Sequence, residues 1–251
     1  MTMQFTFLGT GDVRQVPVSG CGCAACILAQ QQPGRRRGPT SALIRHDGQS
    51  TLLDAGLCHL EKQFAPGELD RIFLTHFHMD HVQGLFALRW GMGPKIPVYC
   101  PPDEQGCDDL YRHPGLLAFQ PFLRPFDPVP CGDLLVTPLP LIHSKITFGY
   151  LIEHRRKRLA YLTDTVGLPA GTLNWLQQRK IDHLVLDCSY APADTAPRNH
   201  NDISMALALH QQLSPAQTWL THISHEVDNW LADNDLPAGV AAAFDGQIIE
   251  I

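Results

Sequence analysis

Short apolar runs alternate with segments of helical composition along the whole chain, and this pattern predicts interleaved strands and helices. Most runs are short enough for strands and are bounded by Gly, Pro, Asn or Asp, which favour turns. The predicted strands are residues 4–8, 41–54 as a hairpin, 71–74, 96–99, 134–141, 147–153, 158–162, 183–186, 218–220 and 247–251. The predicted helices are residues 83–90, 172–179 and 204–212.

The order of these elements favours sheets packed face to face and covered by helices, an α/β fold of the αββα sandwich type. No Ser/Gly linker, repeat or low-complexity block divides the sequence, so we predict a single domain over residues 1–251. Asp47-Gly48 is a strong hairpin signal. Two segments lack a clear period. The cysteine loop at about residues 20–27 is predicted to have no regular structure, and residues 103–127 could form a lid.

Composition and charge narrow the function classes. The chain has 251 residues, 44% of them hydrophobic, which is enough to bury a core. Its formal net charge of −6 argues against binding long nucleic acid, because that mode needs a basic surface to release phosphate counterions. No stretch approaches the roughly 20 apolar residues of a membrane span, and the first residues lack a basic and then apolar secretory leader. We therefore expect a cytoplasmic protein with no membrane partner.

Four residues of one short segment indicate a metal site. His76, His78, Asp80 and His81 follow the predicted strand 71–74 and lie on a loop at its carboxyl end. In an extended loop His76 and His78 point the same way, so both imidazoles can bind one cation. The following turn can direct Asp80 and His81 to a second cation. A single histidine is most often a hydrogen-bonded core or surface residue, but four such side chains at this spacing favour metal binding.

The ligand types of this segment predict its chemistry. A mixed set of nitrogen and oxygen ligands suits zinc, manganese or iron. Two cations about 3.5–4 Å apart can clamp the attacking and leaving oxygens and lower the pKa of bound water to about 7. Hydroxide is then available without a protein nucleophile, and the sequence has no G-x-S-x-G elbow that would indicate acyl-enzyme chemistry. We therefore predict a hydrolase that uses a hydroxide bound to two metals.

The segment matches in full the H-x-H-x-D-H signature of the metallo-β-lactamase superfamily, which this sequence resembles. The resemblance implies three further ligands, each after a strand-like run, and a supporting carboxylate at Asp54. In the implied arrangement His76, His78 and His143 hold one metal, Asp80, His81 and His222 hold the other, and Asp164 bridges both.

A second group of ligand-type residues lies near the start of the chain. Cys21, Cys23 and Cys26 lie so close together that metal binding explains them better than a disulfide framework, and they predict a structural zinc. Such a zinc takes four ligands, and His225, three residues after His222, could face the cysteine loop as the fourth. Three free cysteines without a metal are the alternative. The remaining cysteines, expected to be small buried hydrophobic residues, are Cys58, Cys100, Cys107, Cys131 and Cys188.

Together, the cysteine loop and the histidine segment make the sequence similar to the phosphodiesterases of the carbon-phosphorus lyase pathway. This family implies a homodimeric enzyme of phosphonate catabolism that opens 5-phosphoribosyl 1,2-cyclic phosphate to ribose 1,5-bisphosphate. Its active-site metals are expected to be manganese or zinc, with iron or nickel as alternatives, beside one structural zinc. The runs that carry the similarity are GCGCAAC, HFHMDHVQGLFALRWG, PVYCPPDEQGCDDLYRHPGLL, HSKITFGYL, APRNHND and LTHISHEVD.

His200 lies in a polar loop before a predicted helix, where Asp202 could act as the N-cap. The resemblance implies that His200 lies near the substrate phosphate, where an imidazole could protonate the leaving alkoxide. Asp80 and His200 are therefore the predicted catalytic residues. Lys145 and Arg198 could bind a substrate phosphate, but long cations on loops are more often solvated, and we leave them out of the catalytic set.

Three other functions share these features. An RNA-processing endonuclease of the same superfamily would use the same metal signature, although the acidic balance and the cysteine loop weigh against it. A thioesterase of the glyoxalase type uses similar ligands. The third alternative is a non-catalytic metal-binding accessory protein of quinone cofactor assembly. Because all seven implied ligands are present, we favour an enzyme acting on a small phosphorylated sugar.

Overall fold

The computed structural model describes residues 2–195 and 197–251, and within them the strands form two mixed sheets of seven strands each. The first sheet comprises β1 (Gln4–Gly9), β2 (Ser41–His46), β3 (Gln49–Leu53), β4 (Arg71–Phe73), β5 (Ile96–Tyr99), β6 (Leu117–Phe119) and β14 (Ile248–Glu250). The second sheet comprises β7 (Val129–Cys131), β8 (Leu134–Pro140), β9 (Phe148–His154), β10 (Lys157–Leu162), β11 (His183–Asp187), β12 (Gln217–Thr221) and β13 (Val240–Ala242).

The two sheets have matching topologies. The first has the order β14-β1-β2-β3-β4-β5-β6 and the second β13-β12-β11-β10-β9-β8-β7. In the first sheet the pairs from β14 to β3 are antiparallel and those from β3 to β6 are parallel. In the second, β7 to β10 pair antiparallel and β10 to β13 pair parallel. One end of the sandwich therefore holds the carboxyl ends of strands β3, β4, β8, β10, β11 and β12.

Helices cover the outer face of each sheet. One apolar core lies between the sheets and includes the fully buried Phe5, Tyr150 and Tyr161. A further apolar core lies between the first sheet and its helices, and another lies between the second sheet and its helices. The molecule therefore has four layers in the order helix, sheet, sheet, helix. The helices are α1 (Ala24–Gln31), α2 (Leu60–Gln63), α3 (Met79–Val82), α4 (Leu85–Leu88), α5 (Asp108–Arg112), α6 (Ala170–Gln177), α7 (Ile203–Leu213) and α8 (His225–Asp233).

This architecture confirms the α/β sandwich of αββα type that the sequence predicts. Alternation is visible where a strand has one covered face, as in β1, whose residues alternate between partly and fully buried. The hairpin turn at Asp47-Gly48 is also present, with both residues in the left-handed region at φ 44° and 77°. Asp202 caps α7, because its side chain accepts a hydrogen bond from the backbone N–H of Met205 at 2.8 Å.

Several local predictions are wrong. The cysteine loop is not irregular throughout, because α1 starts at Ala24 and contains Cys26. Of the helix predicted over 83–90, only the short helix α4 (Leu85–Leu88) is present, while the short helix α3 (Met79–Val82) ends before the predicted start. Residues 103–127 do not form a free lid, because α5 and β6 lie within them and β6 pairs with β5. Apolar anchors such as Leu110 and Leu117 hold this segment on the first sheet.

Two further outcomes concern the cysteines and the membrane. Cys100, Cys131 and Cys188 are buried as expected, but Cys58 is exposed and Cys107 is partly exposed. Cys58 is therefore not the small buried hydrophobic residue that we predicted. Across residues 2–195 and 197–251, none of the helices combines the length and apolar content that crossing a membrane would require.

Candidate binuclear metal site

The predicted ligands come together at the end of the sandwich where the carboxyl ends of these strands lie. His76 follows β4, His143 follows β8, Asp164 follows β10 and His222 follows β12. Side chains that are far apart in sequence meet here because these strands run in the same direction within each sheet. The second half of the histidine segment, Asp80 and His81, lies in the short helix α3.

One group of donor atoms is formed by His76, His78, His143 and Asp164, whose ligand atoms all lie within 4.8 Å of one another. Nδ1 of His78 is 2.8 Å from Nε2 of His76 and 3.0 Å from Nε2 of His143. Oδ2 of Asp164 is 3.7 Å and 3.6 Å from the same two Nε2 atoms. Three imidazole nitrogens and one carboxylate oxygen thus converge on a common point.

A second group is formed by Asp80, His81 and His222. Nε2 of His81 is 3.5 Å from Oδ2 of Asp80, and Nε2 of His222 is 3.8 Å from the same oxygen. Asp164 also faces this group, with Oδ1 at 3.2 Å from Nε2 of His81 and Oδ2 at 3.5 Å from Nε2 of His222. Asp164 therefore lies between the two groups and can serve both, as the sequence resemblance implies.

The donor atoms fit divalent cations. The Nε2 atoms of both His81 and His222 are buried without a hydrogen-bond partner among the described residues. Buried polar atoms of this kind are rare in folded proteins and call for a ligand or an ion. Three imidazoles with a carboxylate on one side, and two imidazoles with carboxylates on the other, make a mixed set that suits transition-metal dications.

The far side of each ring is also bonded, which orients the ring. Nδ1 of His143 donates to the backbone oxygen of Asn199 at 3.0 Å. Nδ1 of His81 faces Oδ2 of Asp54 at 3.0 Å, and Asp54 also accepts from the backbone N–H of Thr75 at 2.8 Å. The predicted supporting position of Asp54 thus agrees with its contacts. Such partners hold a metal-binding histidine in one tautomer and raise its basicity.

The threonine before the histidine segment connects two of these rings. The hydroxyl of Thr75 lies 3.0 Å from both oxygens of Asp54 and 3.0 Å from Nδ1 of His76. Because the hydroxyl has one proton to donate to Asp54, it accepts from Nδ1–H of His76. This leaves the lone pair of Nε2 of His76 directed into the site.

The charges of the site oppose one another in the metal-free protein. Burial would raise the pKa of Asp164, but His222, His81 and His76 lower it well below the usual range of an aspartate. Burial would lower the pKa of His222, but Asp164, Asp80 and Asp187 outweigh burial and raise it to about 9. The carboxylates therefore attract positive charge to this pocket, whether it is carried by protons or by metal ions.

Three site residues have left-handed backbone conformations that non-glycine residues seldom adopt. The φ angles are 57° at Asp54, 59° at Asp164 and 58° at His222. Each residue lies directly after a strand or one residue beyond it, where the chain must turn so that the side chain points into the site. Strain of this kind is typical of functional positions, because the surrounding fold must stabilise it.

His200 lies beside the second metal group. Its ring stacks on His222 with the centroids 4.7 Å apart and meets His143 edge-on at 5.0 Å. Nδ1 of His200 donates to Oδ2 of Asp187 at 2.7 Å. A donor atom of His200 lies within 4.8 Å of donor atoms of Asp164 and His222, so its position suits either a proton donor or an additional ligand.

Sequence reasoning missed Asp187 and Ser189, which support both histidines. Ser189 donates to Oδ1 of fully buried Asp187 at 2.8 Å and accepts from Nδ1 of His222 at 2.7 Å. One carboxylate therefore orients His200 directly and His222 through a hydroxyl. The signal was present, since Asp187 ends an apolar strand just as Asp54 and Asp164 follow theirs.

The two loop cations are placed differently. Lys145 lies 3.8 Å from Oδ2 of Asp103, which pairs its charge. Arg198 is exposed and lines a cavity of about 520 Å³ together with Tyr190. Tyr190 in turn is 6.1 Å from the ring of His200, so this cavity adjoins the site.

The predicted zinc ligands of the cysteine loop also come together. Nδ1 of His225 is 3.4 Å from Sγ of Cys21 and 3.3 Å from Sγ of Cys23, and Cys26 belongs to the same cluster within 4.8 Å. Nε2 of His225 faces Glu226 at 3.0 Å, which leaves Nδ1 for the cysteines. Burial would raise the pKa of Cys23, but Asn229 and His225 lower it to about 6, so a thiolate is available at neutral pH.

Comparison with known proteins places this architecture in a family. Octanoyltransferase of Porphyromonas gingivalis is 28% identical over 97% of this chain and 51% of its own length. Ribonuclease Z of Methanosarcina acetivorans is 28% identical over 68% of this chain and 56% of its own length. The chain thus spans about half the length of these curated relatives. A solved diphosphatase of the PhnP family matches with a TM-score of 0.84 and 26% identity, covering 100% of this chain and 98% of that one.

The family match covers most of the site. Residues 51–223 match a β-lactamase superfamily domain, and this range contains the seven predicted ligands of the two donor groups together with Asp54, Asp187 and His200. The four-layer fold and the structural similarity to a PhnP-family protein agree with that match. The chain therefore belongs to the β-lactamase superfamily and has its metallo-β-lactamase fold.

Proposed function

We propose that this protein is a metal-dependent phosphodiesterase that hydrolyses a small cyclic phosphodiester, with 5-phosphoribosyl 1,2-cyclic phosphate as the candidate substrate and ribose 1,5-bisphosphate as the product. The observation that carries the proposal is the pair of donor groups that share Asp164, next to a histidine held by a buried carboxylate. His76, His78 and His143 would hold one cation, Asp80, His81 and His222 the other, with Asp164 between them.

The bound cations would supply Lewis acidity, which activates water and neutralises negative charge on the phosphoryl oxygens. The chain's own residues supply positioning and proton transfer. In the second group, Asp54 orients the ring of His81 directly. Asp187 orients the ring of His222 through the hydroxyl of Ser189. His200 donates Nδ1–H to Asp187, so its Nε2 is the nitrogen left to carry the proton for a leaving group.

Ring opening breaks the bond between phosphorus and O2 of the ribose while water adds a new P–O bond. The departing O2 needs a proton because a sugar alkoxide is a poor leaving group, and His200 is the donor in this proposal. Asp187 favours that role, since it accepts Nδ1–H of His200 and so fixes the orientation of the ring. The 5-phosphate would lie toward the cavity that Arg198 and Tyr190 line beside His200.

The relatives define the competing substrates. Ribonuclease Z acts on RNA and the PhnP-family protein is named a diphosphatase, so RNA and a phosphoanhydride are the two alternatives that the comparisons favour. The net charge of −6 argues against long RNA, because this chain has no excess of cations to neutralise many phosphates. We also propose that the protein is a homodimer and that it is cytoplasmic. Light scattering of the purified protein tests the oligomeric state.

Phosphorus NMR and steady-state kinetics with one metal-loaded preparation distinguish these substrates. The panel comprises 5-phosphoribosyl 1,2-cyclic phosphate, a 2′,3′-cyclic nucleotide, a nucleoside diphosphate, a transfer-RNA precursor and a thioester. We expect the highest kcat/KM for the phosphoribosyl cyclic phosphate and no activity for Asp164→Asn. A higher kcat/KM for the cyclic nucleotide would reject the sugar but retain the phosphodiesterase. Preference for the diphosphate, the RNA or the thioester would reject the proposal.

A further inference from the structure

Three hairpin turns meet at the end of the sandwich opposite the binuclear site. The turn at Asp47 joins β2 to β3, the turn before Leu134 joins β7 to β8, and the turn after His154 joins β9 to β10. Strands β3, β8 and β10 each begin here and lead to Asp54, His143 and Asp164 at the other end. With five to seven residues per strand, the two ends are separated by roughly 15–23 Å.

Ligand-type side chains from both sheets converge at these turns. Donor atoms of Asp47, Asp133 and His154 all lie within 4.8 Å of one another. The strand register explains part of this, because Leu134 pairs with His154 and Asp133 directly precedes it. Asp47 comes from the first sheet, where His46 places its ring 6.0 Å from that of His154. The cluster therefore spans the gap between the two sheets.

A second observation indicates that this cluster has a ligand. His154 is only 2% exposed, and its Nε2 atom is buried without a hydrogen-bond partner among the described residues. The neighbouring His46 is 3% exposed, and its Nδ1 atom is also buried without a hydrogen-bond partner among the residues that the structure describes. Buried ring nitrogens are normally bonded to protein, to water or to a metal, so two unpaired ones beside two carboxylates require a partner.

Three cationic side chains near this cluster bond to other groups. Lys157 lies 3.3 Å from Asp182, and Arg158 lies 2.7 Å from Glu153. Arg71 donates to Thr51 and Gln49 at 3.0 Å and 3.1 Å. The cluster thus keeps two carboxylates close to an imidazole while each of these cations bonds to another group.

We propose that Asp47, Asp133 and His154 bind a divalent cation of the first transition row at this end of the sandwich, separate from both sites described above. Two carboxylates and one imidazole form a mixed oxygen and nitrogen set that suits zinc or manganese, and zinc has the higher intrinsic affinity. Water completes the coordination because Asp47 and Asp133 are exposed. The cation links the β2–β3 hairpin of one sheet to two hairpins of the other and so stabilises the folded protein.

Zinc binding to untagged protein tests this site. The comparison is between the parent chain, the Asp47→Asn/Asp133→Asn double variant and a matched control, Asp127→Asn/Asp235→Asn, which neutralises two exposed aspartates elsewhere. Equilibrium dialysis against zinc buffers, followed by elemental analysis, counts zinc per chain. We expect the parent and the control to bind one more zinc per chain than the double variant. We also expect a zinc-dependent rise in melting temperature that the double variant loses.

Nitrogen NMR of the imidazoles identifies the residue and does not depend on the variants folding. With the other two sites already saturated, further zinc should shift the ring nitrogens of His154 in the parent chain. Equal zinc content in the parent and the double variant would overturn the proposal. Unchanged His154 resonances at saturating zinc would also overturn it and would mean that ordered water alone satisfies the unpaired nitrogens.

Discussion

The binuclear site and the cysteine site lie on the two sides of one strand-to-helix corner, yet they are built in different ways. His222 follows β12 and belongs to the first site, while His225 starts α8 and belongs to the second. Between them Ser224 caps α8 by accepting a hydrogen bond from the N–H of Val227 at 3.3 Å. A spacing of three residues thus separates two chemically distinct groups of potential metal ligands.

The ligands of the two sites differ in origin and burial. The binuclear site collects side chains from residues 76 to 222, and its rings at His76 and His81 are fully buried. Three of the four cysteine-site ligands lie within six residues, and Cys21, Cys23 and His225 are partly exposed. A buried site whose imidazole rings are held by hydrogen bonds suits a reaction that needs fixed geometry, whereas a closed set of three cysteines and one imidazole suits a structural zinc.

The sharpest test of this difference removes the carboxylate shared by the two metal groups. Asp164→Asn should reduce turnover of bis(p-nitrophenyl) phosphate at least about a thousandfold, roughly 4 kcal/mol of transition-state stabilisation. Circular dichroism should remain that of the parent. Asp127→Asn is the matched control at an exposed aspartate. A loss of less than about tenfold, roughly 1.4 kcal/mol, would remove Asp164 from the active site.

His200 should matter most when the leaving group is poor. His200→Ala is expected to lower kcat about a hundredfold for an alkyl phosphodiester, because the alkoxide then departs without a proton donor, and far less for a p-nitrophenyl ester. Zinc content should stay at the parent value. Equal losses on both substrates would favour a binding role, and loss of a metal ion would make His200 a ligand instead.

A substitution at Asp187 tests whether the hydrogen bonds that hold the rings of His200 and His222 are needed. Asp187→Asn keeps the shape but weakens the bonds to His200 and Ser189, so we expect between about 10-fold and 100-fold lower activity or metal affinity. The loss of kcat should be larger for an alkyl phosphodiester than for a p-nitrophenyl ester, because Asp187 holds the ring of His200. Asp182→Asn provides a control at another aspartate near a strand terminus. Equal losses of kcat on the two esters would contradict the positioning role.

Metal binding at the second group should depend on pH. In the metal-free protein the pKa of His222 is about 9, above its ordinary value of 6.5, because Asp164, Asp80 and Asp187 outweigh burial. A cation at Nε2 must displace this proton, so between pH 6.5 and pH 9 the zinc affinity should rise by about tenfold per pH unit for one displaced proton.

The same raised pKa of His222 determines how the stability of the metal-free protein changes with pH. Protonated His222 stabilises the metal-free protein below pH 6.5, and this contribution is lost as the pH rises through about 9. Competition with a chromophoric chelator at several pH values measures the affinity, and thermal melts of the metal-free protein measure the stability. A zinc affinity that does not change over this interval would show that no proton is displaced from His222.

The cysteine site should affect stability more than turnover. Cys23→Ser should release one zinc per chain and lower the melting temperature by several degrees, since about 1 kcal/mol corresponds to roughly 2–4 °C in a chain of this size. Activity below the melting transition should remain within about threefold of the parent, less than one kcal/mol. Cys58→Ser replaces an exposed cysteine outside the cluster and should change neither property. Full zinc content in Cys23→Ser would reject the structural site.

Much of the fold could be predicted because its strands are short apolar runs between turn residues. The hairpin at Asp47-Gly48 and the cap at Asp202 depend on local chemistry, and both are found in the structure. The prediction was wrong where tertiary contacts outweighed local pattern. Residues 103–127 have no clear period, yet Leu110 and Leu117 bury themselves on the first sheet and make this segment part of the core.

The amino-acid sequence by itself determined the residue types of the site and the spacing within His76–His81, because ligands that are near neighbours meet through local geometry alone. Only the tertiary structure decided that Asp187 supports two histidines and that Asp47 and Asp133 approach His154. These contacts join residues far apart along the chain, and they form only when strand register and sheet packing bring separate strand ends together.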